Sequence, residues 1–191
     1  MHFLIVLALL QTPSPVAPDT AGTLMTNAGV IRAAGVVDSV FVSRLRDSAT
    51  IGAGDWTAYL MARLGVKPIP EMGLRIAIDP ARLRVRGRLS DIPPEARNAL
   101  ASLLAMLDPS TPIEASVTLD RVAPNAIRFH LDSAWIAGFA LPDAFLGQGL
   151  RVVGEKYPVL ANGGRDLFVE IPVNGAVRYT REGVKLVGPP R

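Results

Sequence analysis

His130 is the residue best suited to acid–base chemistry in this chain, because the only other histidine is His2. His130 alternates with Arg128 and Asp132 and falls opposite Phe129, as expected for a strand with one wet face. An imidazole there can serve as a general base, but it equally fits a solvated polar row. One histidine cannot build a histidine metal cluster, and no H-E-x-x-H or acidic calcium loop occurs. The pattern favours the polar row and predicts no metal site.

Other catalytic patterns are also missing. The sequence has no G-x-S-x-G motif and no cysteine, so a Ser-His-Asp triad would need His130 and a serine from an unmarked context. Paired carboxylates such as Glu114 with Asp120 or Asp132 stay open for glycosidic chemistry, although carboxylates on a strand's wet face are normally solvated. We therefore predict a non-catalytic protein without a cofactor and keep a hydrolase of unknown type as the third hypothesis.

Four arginines recur at every second position, which places them on one face of one predicted strand. They are Arg82, Arg84, Arg86 and Arg88. One interpretation is a solvated face paired with Asp79, Glu114 or Asp120; the other is an anion-facing row for phosphate headgroups or acidic glycans. Nucleic acid is not a predicted partner, because the net charge is +3, aromatic residues make up 6%, and no helix carries matching charges.

The clearest element surrounds His130 and spans residues 112–141. Apolar and polar residues alternate on both sides of a turn at residues 123–125, which predicts a half-buried antiparallel hairpin. A second hairpin, turning at residues 79–81, carries the four arginines. Near the C-terminus, Asn174-Gly175 predicts a hairpin turn after a strand over residues 167–171, and residues 181–183 join two further strands.

Helices are predicted between these hairpins. One begins at Gly52 to Asp55, with Asp55 as its cap, and ends at Gly65; others cover residues 91–108 and 143–157. Residues 36–46 fit a helix or a strand, and residues 20–35 show no clear element. The sum predicts an α+β fold with a single curved, largely antiparallel sheet of about seven strands, packed on two to four helices.

Apolar faces recur on these helices and hairpins, and they form either a plain core or the lining of a ligand groove. Large side chains are few while Gly, Ala and Pro are abundant, so helices packed on the sheet can leave an apolar tunnel or groove for an amphiphile. The predicted lining residues are Trp56, Tyr59, Leu60, Leu100, Leu104, Phe129, Trp135 and Phe139.

Composition bounds the class of protein. A length of 191 residues suits one domain, and 49% hydrophobic against 19% charged residues gives a large apolar surface.

Residues 3–10 are uninterruptedly apolar and a proline-rich stretch follows, which predicts a signal peptide and leader over residues 1–20 and one α+β domain over residues 21–191. A cytoplasmic N-terminal strand or a misassigned start is the alternative. No later apolar run is long enough to span a bilayer, so we expect a periplasmic or secreted protein that is not an integral membrane protein.

Four stretches resemble a loose group of uncharacterised exported bacterial proteins, similar to the LmeA and YpmS type and more remotely to tubular lipid-binding (TULIP-like) modules. They are Gly54-Asp55-Trp56-Thr57-Ala58-Tyr59-Leu60, the strand pair over residues 74–89, Ala134-Trp135-Ile136-Ala137-Gly138-Phe139-Ala140-Leu141-Pro142, and Phe168-Val169-Glu170-Ile171-Pro172 before a final hairpin. The resemblance covers residues 49–187 and implies a curved sheet wrapped on helices that binds or moves envelope lipids.

These observations give three functional hypotheses. The first is an exported cell-envelope protein that binds a lipid or another amphiphile without catalysis. The alternative is a periplasmic interaction or assembly module, whose protein partner contacts a sheet edge and the arginine-rich face. The third is the hydrolase centred on His130.

Overall fold

The computed structural model of this protein describes residues 22–65, 73–79, 82–92, 97–98, 104, 107–156, 164–170 and 175–189. Its elements are β1 (Thr23–Leu24), α1 (Asn27–Val37), β2 (Ser48–Ile51), α2 (Ala53–Arg63), β3 (Arg75–Asp79), β4 (Arg82–Arg88), β5 (Pro112–Ala123), β6 (Ala126–Ile136), β7 (Phe139–Ala140), α3 (Asp143–Lys156), β8 (Asp166–Glu170), β9 (Ala176–Thr180) and β10 (Gly183–Val187). The predicted leader lies outside the described residues, as does most of the helix predicted over residues 91–108. Within that helix, Arg97, Asn98 and Leu104 are helical.

In the described part of the chain, seven antiparallel strands form the large sheet. Their order is β1-β3-β4-β5-β6-β7, and β8 also pairs with β6. In the β3–β4 hairpin, Ile76 lies opposite Val85 and Ile78 opposite Leu83, so the apolar rows of both strands share one face. The prediction of an α+β fold with an antiparallel sheet of about seven strands is confirmed.

The β5–β6 hairpin is confirmed, and it contains a bulge that the sequence interpretation did not include. The pairs on either side of the shift in register are Ser116–Ser133 and Val117–Leu131. Asp132 is therefore an extra residue on β6, and it reverses the side-chain alternation beyond it. Leu131 and Ile136 consequently face the same apolar side of the sheet, whereas Trp135 is turned to the opposite side.

A second sheet corrects the prediction of a single one. β10 pairs with β2 and β9 to form a separate three-stranded antiparallel sheet. The turn at Asn174-Gly175 therefore does not join two paired strands, because β8 pairs with β6 while β9 pairs with β10; Asn174 itself lies outside the described residues. Pairing with β6 places Leu167 and Val169 of β8 on the apolar face of the large sheet, and this burial outweighs the local turn signal.

α1 lies in a stretch where the sequence predicts no clear element. Its helix begins after Thr26, whose Oγ1 accepts a hydrogen bond from the Gly29 amide at 3.0 Å. The residues that α1 buries include Gly29 and Ala33, and their small side chains give the sequence little helical periodicity of hydrophobicity. Of the two interpretations of residues 36–46, the helix is confirmed as far as Val42, because α1 continues into a π-helical turn over Asp38–Val42. Residues 43–46 form neither a helix nor a strand.

α2 confirms the helix predicted after β2, but its N-cap is Gly52 rather than Asp55. Asp55 lies in the first turn and accepts hydrogen bonds from Arg32 of α1, at 2.8 Å from Nε and 2.7 Å from Nη2. This bidentate pair raises the pKa of Arg32 and joins the two helices. A Cβ on Gly29 would lie 2.4 Å from Asp55 Oδ1, so any larger residue there would displace the carboxylate that pairs with Arg32.

One main core lies between the α1–α2 pair and both sheets. Trp56 of α2 is fully buried in it and stacks on Tyr59, with ring centroids 5.7 Å apart. A smaller core joins Leu89, Leu104 and Ile136 with partly buried neighbours that include Phe145 of α3. Among the described residues, no helix combines the length and apolar character that crossing a bilayer requires.

Candidate functional site

The candidate site is the side of the large sheet that faces away from the main core, called here the polar face. Alternation on β3, β4, β5, β6 and β8 points arginine, histidine and carboxylate side chains to this side. Its basic part lies on β3 and β4. Its more acidic part lies on β5, β6 and β8.

The predicted arginine row, Arg82, Arg84, Arg86 and Arg88, lies on the polar face of β4. Arg75 of β3 lies directly opposite Arg86 and donates to the Gly22 carbonyl. Glu114 of β5 contacts two members of the row, at 3.4 Å from Arg86 Nε and 3.9 Å from Arg84 Nη1. Long ion pairs of partly exposed side chains contribute little energy, so Glu114 holds these two arginines only weakly.

One of the three acids predicted as partners of the row contacts a different arginine. Asp120 contacts Arg128 on β6, and this hydrogen bond raises the Arg128 pKa. The Asp79 side chain lies outside the described part of the structure, although its backbone pairs with that of Arg82. Glu114 is thus the predicted partner that the described structure brings to the row.

Trp135 adds an apolar surface to the polar face. It is half-buried and lies opposite Glu114 on β5, which in turn lies opposite Arg86 on β4. Since neighbouring strands are about 4.8 Å apart, the backbones of Arg86 and Trp135 are separated by roughly 10 Å. The polar face therefore offers a guanidinium and an indole within the length of one small amphiphile.

The bulge at Asp132 organises the acidic part. Its carboxylate accepts hydrogen bonds from Thr118 Oγ1, at 2.8 and 2.9 Å from its two oxygens, and from Ser116 Oγ at 3.3 Å. Ser116 is buried, so this acceptor satisfies a hydroxyl that water reaches poorly. We call Ser116, Thr118 and Asp132 the hydroxyl cluster.

His130 has a carboxylate partner that the sequence interpretation missed. Its Nδ1 lies 2.7 Å from Asp166 Oδ1 on β8, and Arg128 Nε lies 4.0 Å from the same oxygen. Asp166 and His130 are 36 residues apart, and only the unpredicted pairing of β8 with β6 brings them together. An Asp–His pair can orient an imidazole as a base, but the Thr118 hydroxyl opposite His130 donates to Asp132 instead.

The residues predicted to line an apolar groove occupy several places. Trp56, Leu60 and Phe129 are buried in the main core with Tyr59 packed on it, Leu104 belongs to the smaller core, Trp135 lies on the polar face, and Phe139 on β7 is 79% exposed. Leu100 lies outside the described residues. The described members of this set do not meet on one surface.

An open cleft of about 500 Å³ lies where β1 meets α1 and α2. Its lining is Thr23, Leu24, Thr26, Ala28, Arg32, Gly52 and Asp55. The two charged side chains in this cleft, Arg32 and Asp55, bind each other, so their opposite charges offset each other within the fold.

The described residues hold no group of three or more His, Asp or Glu side chains close enough to bind a metal ion. Comparison of the chain with models of known families, with curated proteins and with solved structures finds no match.

Proposed function

We propose that this protein is a non-catalytic binding protein of the cell envelope that holds an amphiphile with an anionic headgroup. The observation that carries the proposal is the arginine row beside Arg75, with half-buried Trp135 two strands away on the polar face. Guanidinium groups bind phosphate and carboxylate in a planar, bidentate geometry. Trp135 gives the first part of an acyl chain an apolar surface next to that headgroup.

The location in the envelope is supported by the apolar and proline-rich residues 1–20 and by the resemblance to uncharacterised exported bacterial proteins. The interior is not part of the proposal, because Trp56, Leu60 and Phe129 pack in the main core. The ligand instead lies on the polar face.

A titration with lysophosphatidylglycerol below its critical micelle concentration tests this function, with lysophosphatidylcholine as the neutral counterpart. Binding is measured by calorimetry and by the change in tryptophan emission. Since Trp56 is fully buried, we expect the emission change to come from Trp135 and to vanish in Trp135→Phe. Equal binding of the two lipids, or none of either, contradicts the proposal.

Charge and geometry are separated by two variants of the arginine row. Replacing all four arginines by glutamine removes the charge, and we expect affinity for lysophosphatidylglycerol to fall at least tenfold. Replacing them by lysine keeps the charge but loses the bidentate fork, so an intermediate affinity is expected. If the glutamine variant keeps its lipid affinity but loses capture of a protein partner, the interaction-module alternative is correct instead.

A hydrolase is the second candidate function, and the 2.7 Å contact between His130 and Asp166 favours it. This pair would act as a general base on water or on a hydroxyl group. The test is hydrolysis of p-nitrophenyl esters by the protein and by His130→Gln. Equal rates in the two proteins exclude the hydrolase.

A further inference from the structure

Residues 42–46, which connect α1 to β2, form an exposed apolar tip. Val42 and Leu45 have 70% and 77% of their surface exposed, although the preceding Val40 and Phe41 are buried in the main core. Two large aliphatic side chains exposed three residues apart concentrate apolar surface in one short segment, and concentrated apolar surface is typical of interaction sites. Their position is therefore informative about what contacts this surface.

The apolar tip is held in place by hydrogen bonds at both ends. The Ser43 amide donates to the Asp38 carbonyl at 2.8 Å, and the Arg46 amide donates to the Ser39 carbonyl at 3.1 Å. Just beyond the tip, the Gly188 amide donates to the Asp47 carbonyl at 2.8 Å and ties the connection to the end of β10. These bonds fix the course of the backbone, so the outward direction of the side chains is a property of the fold.

Backbone geometry and charge both distinguish the apolar tip. Arg44 has φ of 52°, in the left-handed region that a non-glycine residue occupies at an energetic cost. Arg44 and Arg46 are both exposed and flank Leu45, so the tip carries two positive charges among its aliphatic side chains. Asp47 directly follows Arg46, and Asp38 precedes the apolar tip by four residues.

We infer that the apolar tip docks on the surface of an anionic lipid bilayer, with Val42 and Leu45 entering the interfacial region and Arg44 and Arg46 contacting lipid phosphates. Segments that bind at the membrane interface combine aliphatic side chains with arginines in this way. Transfer of the aliphatic side chains out of water is favourable, and the negative surface potential of the bilayer attracts the arginines. An acidic protein would satisfy the arginines but not require both aliphatic side chains in the open. This inference is independent of ligand binding on the polar face.

Flotation of the purified protein with large unilamellar vesicles tests the inference. The vesicles consist of phosphatidylcholine alone or of phosphatidylcholine with 30% phosphatidylglycerol. We expect binding to the anionic vesicles that weakens in 0.5 M salt, because surface charges are screened. Absence of binding to the anionic vesicles overturns the inference.

Variants identify the segment that binds. Val42→Ser with Leu45→Ser should reduce vesicle affinity roughly tenfold or more, and Arg44→Gln or Arg46→Gln about fivefold each. The matched control is Ile31→Ser, which removes a highly exposed aliphatic side chain of α1 and should leave affinity unchanged. All these positions are exposed, and circular dichroism checks that each variant is folded.

Two results overturn the inference in favour of another contact. Loss of vesicle binding in the glutamine variant of the arginine row, with normal binding in the double serine variant, assigns the membrane contact to the polar face. A concentration-dependent dimer in sedimentation that the double serine variant abolishes, without any vesicle binding, assigns the apolar tip to a second copy of the chain.

Discussion

Gly54 offers a sharp test of how α2 packs against β1. A Cβ at this position would lie 2.3 Å from the Leu24 carbonyl oxygen and 2.6 Å from that of Thr23. The Gly54 amide also donates to Thr23 Oγ1 at 2.6 Å, so β1 and the first turn of α2 are in direct contact. Because the obstructing atoms belong to the backbone, they cannot rotate away as a flexible side chain would.

The cost of Gly54→Ala follows from two opposing effects. Overpacking costs about 1–3 kcal/mol or more, and alanine returns up to about 1 kcal/mol of helix propensity. Since the contact requires α2 or β1 to shift by most of an ångström, we expect the upper part of the first range and a net loss of about 2 kcal/mol. For a domain of this size that loss lowers Tm by roughly 4–8 °C.

Gly35→Ala is the matched control. Gly35 also lies inside an 11-residue helix, but apart from its chain neighbours and its own helix backbone no atom lies within 4 Å of the point that a Cβ would occupy. Alanine there should therefore stabilise the protein by up to about 1 kcal/mol. Urea denaturation of both variants measures the difference in their free energies of unfolding. Comparing the dependence of that free energy on urea concentration detects any change in the compactness of the unfolded or folded state. Equal effects of the two substitutions would refute the proposed contact of α2 with β1.

Two further predictions concern buried polar groups. Burial raises the pKa of Tyr179 to about 12, while the neighbouring Trp56 side chain opposes part of this rise. The phenol of the unfolded chain ionises near pH 10, so its burial does not affect the free energy of unfolding below about pH 10. As the pH rises towards 12, the free energy of unfolding should fall by about 3 kcal/mol because the unfolded phenol ionises first. Tyr179→Phe should remove this part of the alkaline loss, as measured by urea titrations at pH 9 and 11.5. Asp132→Ala should lower the free energy of unfolding by about 1–3 kcal/mol, because it leaves the hydroxyls of Ser116 and Thr118 without their acceptor. Asp132→Asn keeps an acceptor and should lower it by less in the same assay.

The fold was predictable where one local pattern decides the structure. Alternation identified the β3–β4 and β5–β6 hairpins, and the apolar stripe with Trp56 identified α2. α1 was not predictable in this way, because it buries Gly29 and Ala33, whose small side chains give little periodic signal. The separation into two sheets depends on where β8 finds apolar partners, and a local turn signal contains no information on that choice.

The site was predictable in part for the same reason. The arginine row lies on one strand, so the spacing of its members fixed their common face. The partner of His130 could not be predicted from the sequence, because only the pairing of β8 with β6 brings Asp166 next to it. The exposure of Val42 and Leu45 depends on hydrogen bonds that close the end of the π-helical turn, and composition alone does not reveal them.

The bulge at Asp132 links the fold to the proposed site, and the sequence contains its signal. Ile127, Phe129 and Leu131 alternate without interruption, but the next buried apolar residue, Ile136, falls on the opposite phase. A strand without an extra residue would then place Ile136 on the polar face and turn Trp135 into the core. The inserted residue lets both hairpin ends bury their aliphatic side chains. It also leaves an indole on the same face as the arginine row, so the pairing of apolar and basic surfaces on that face depends on one added residue.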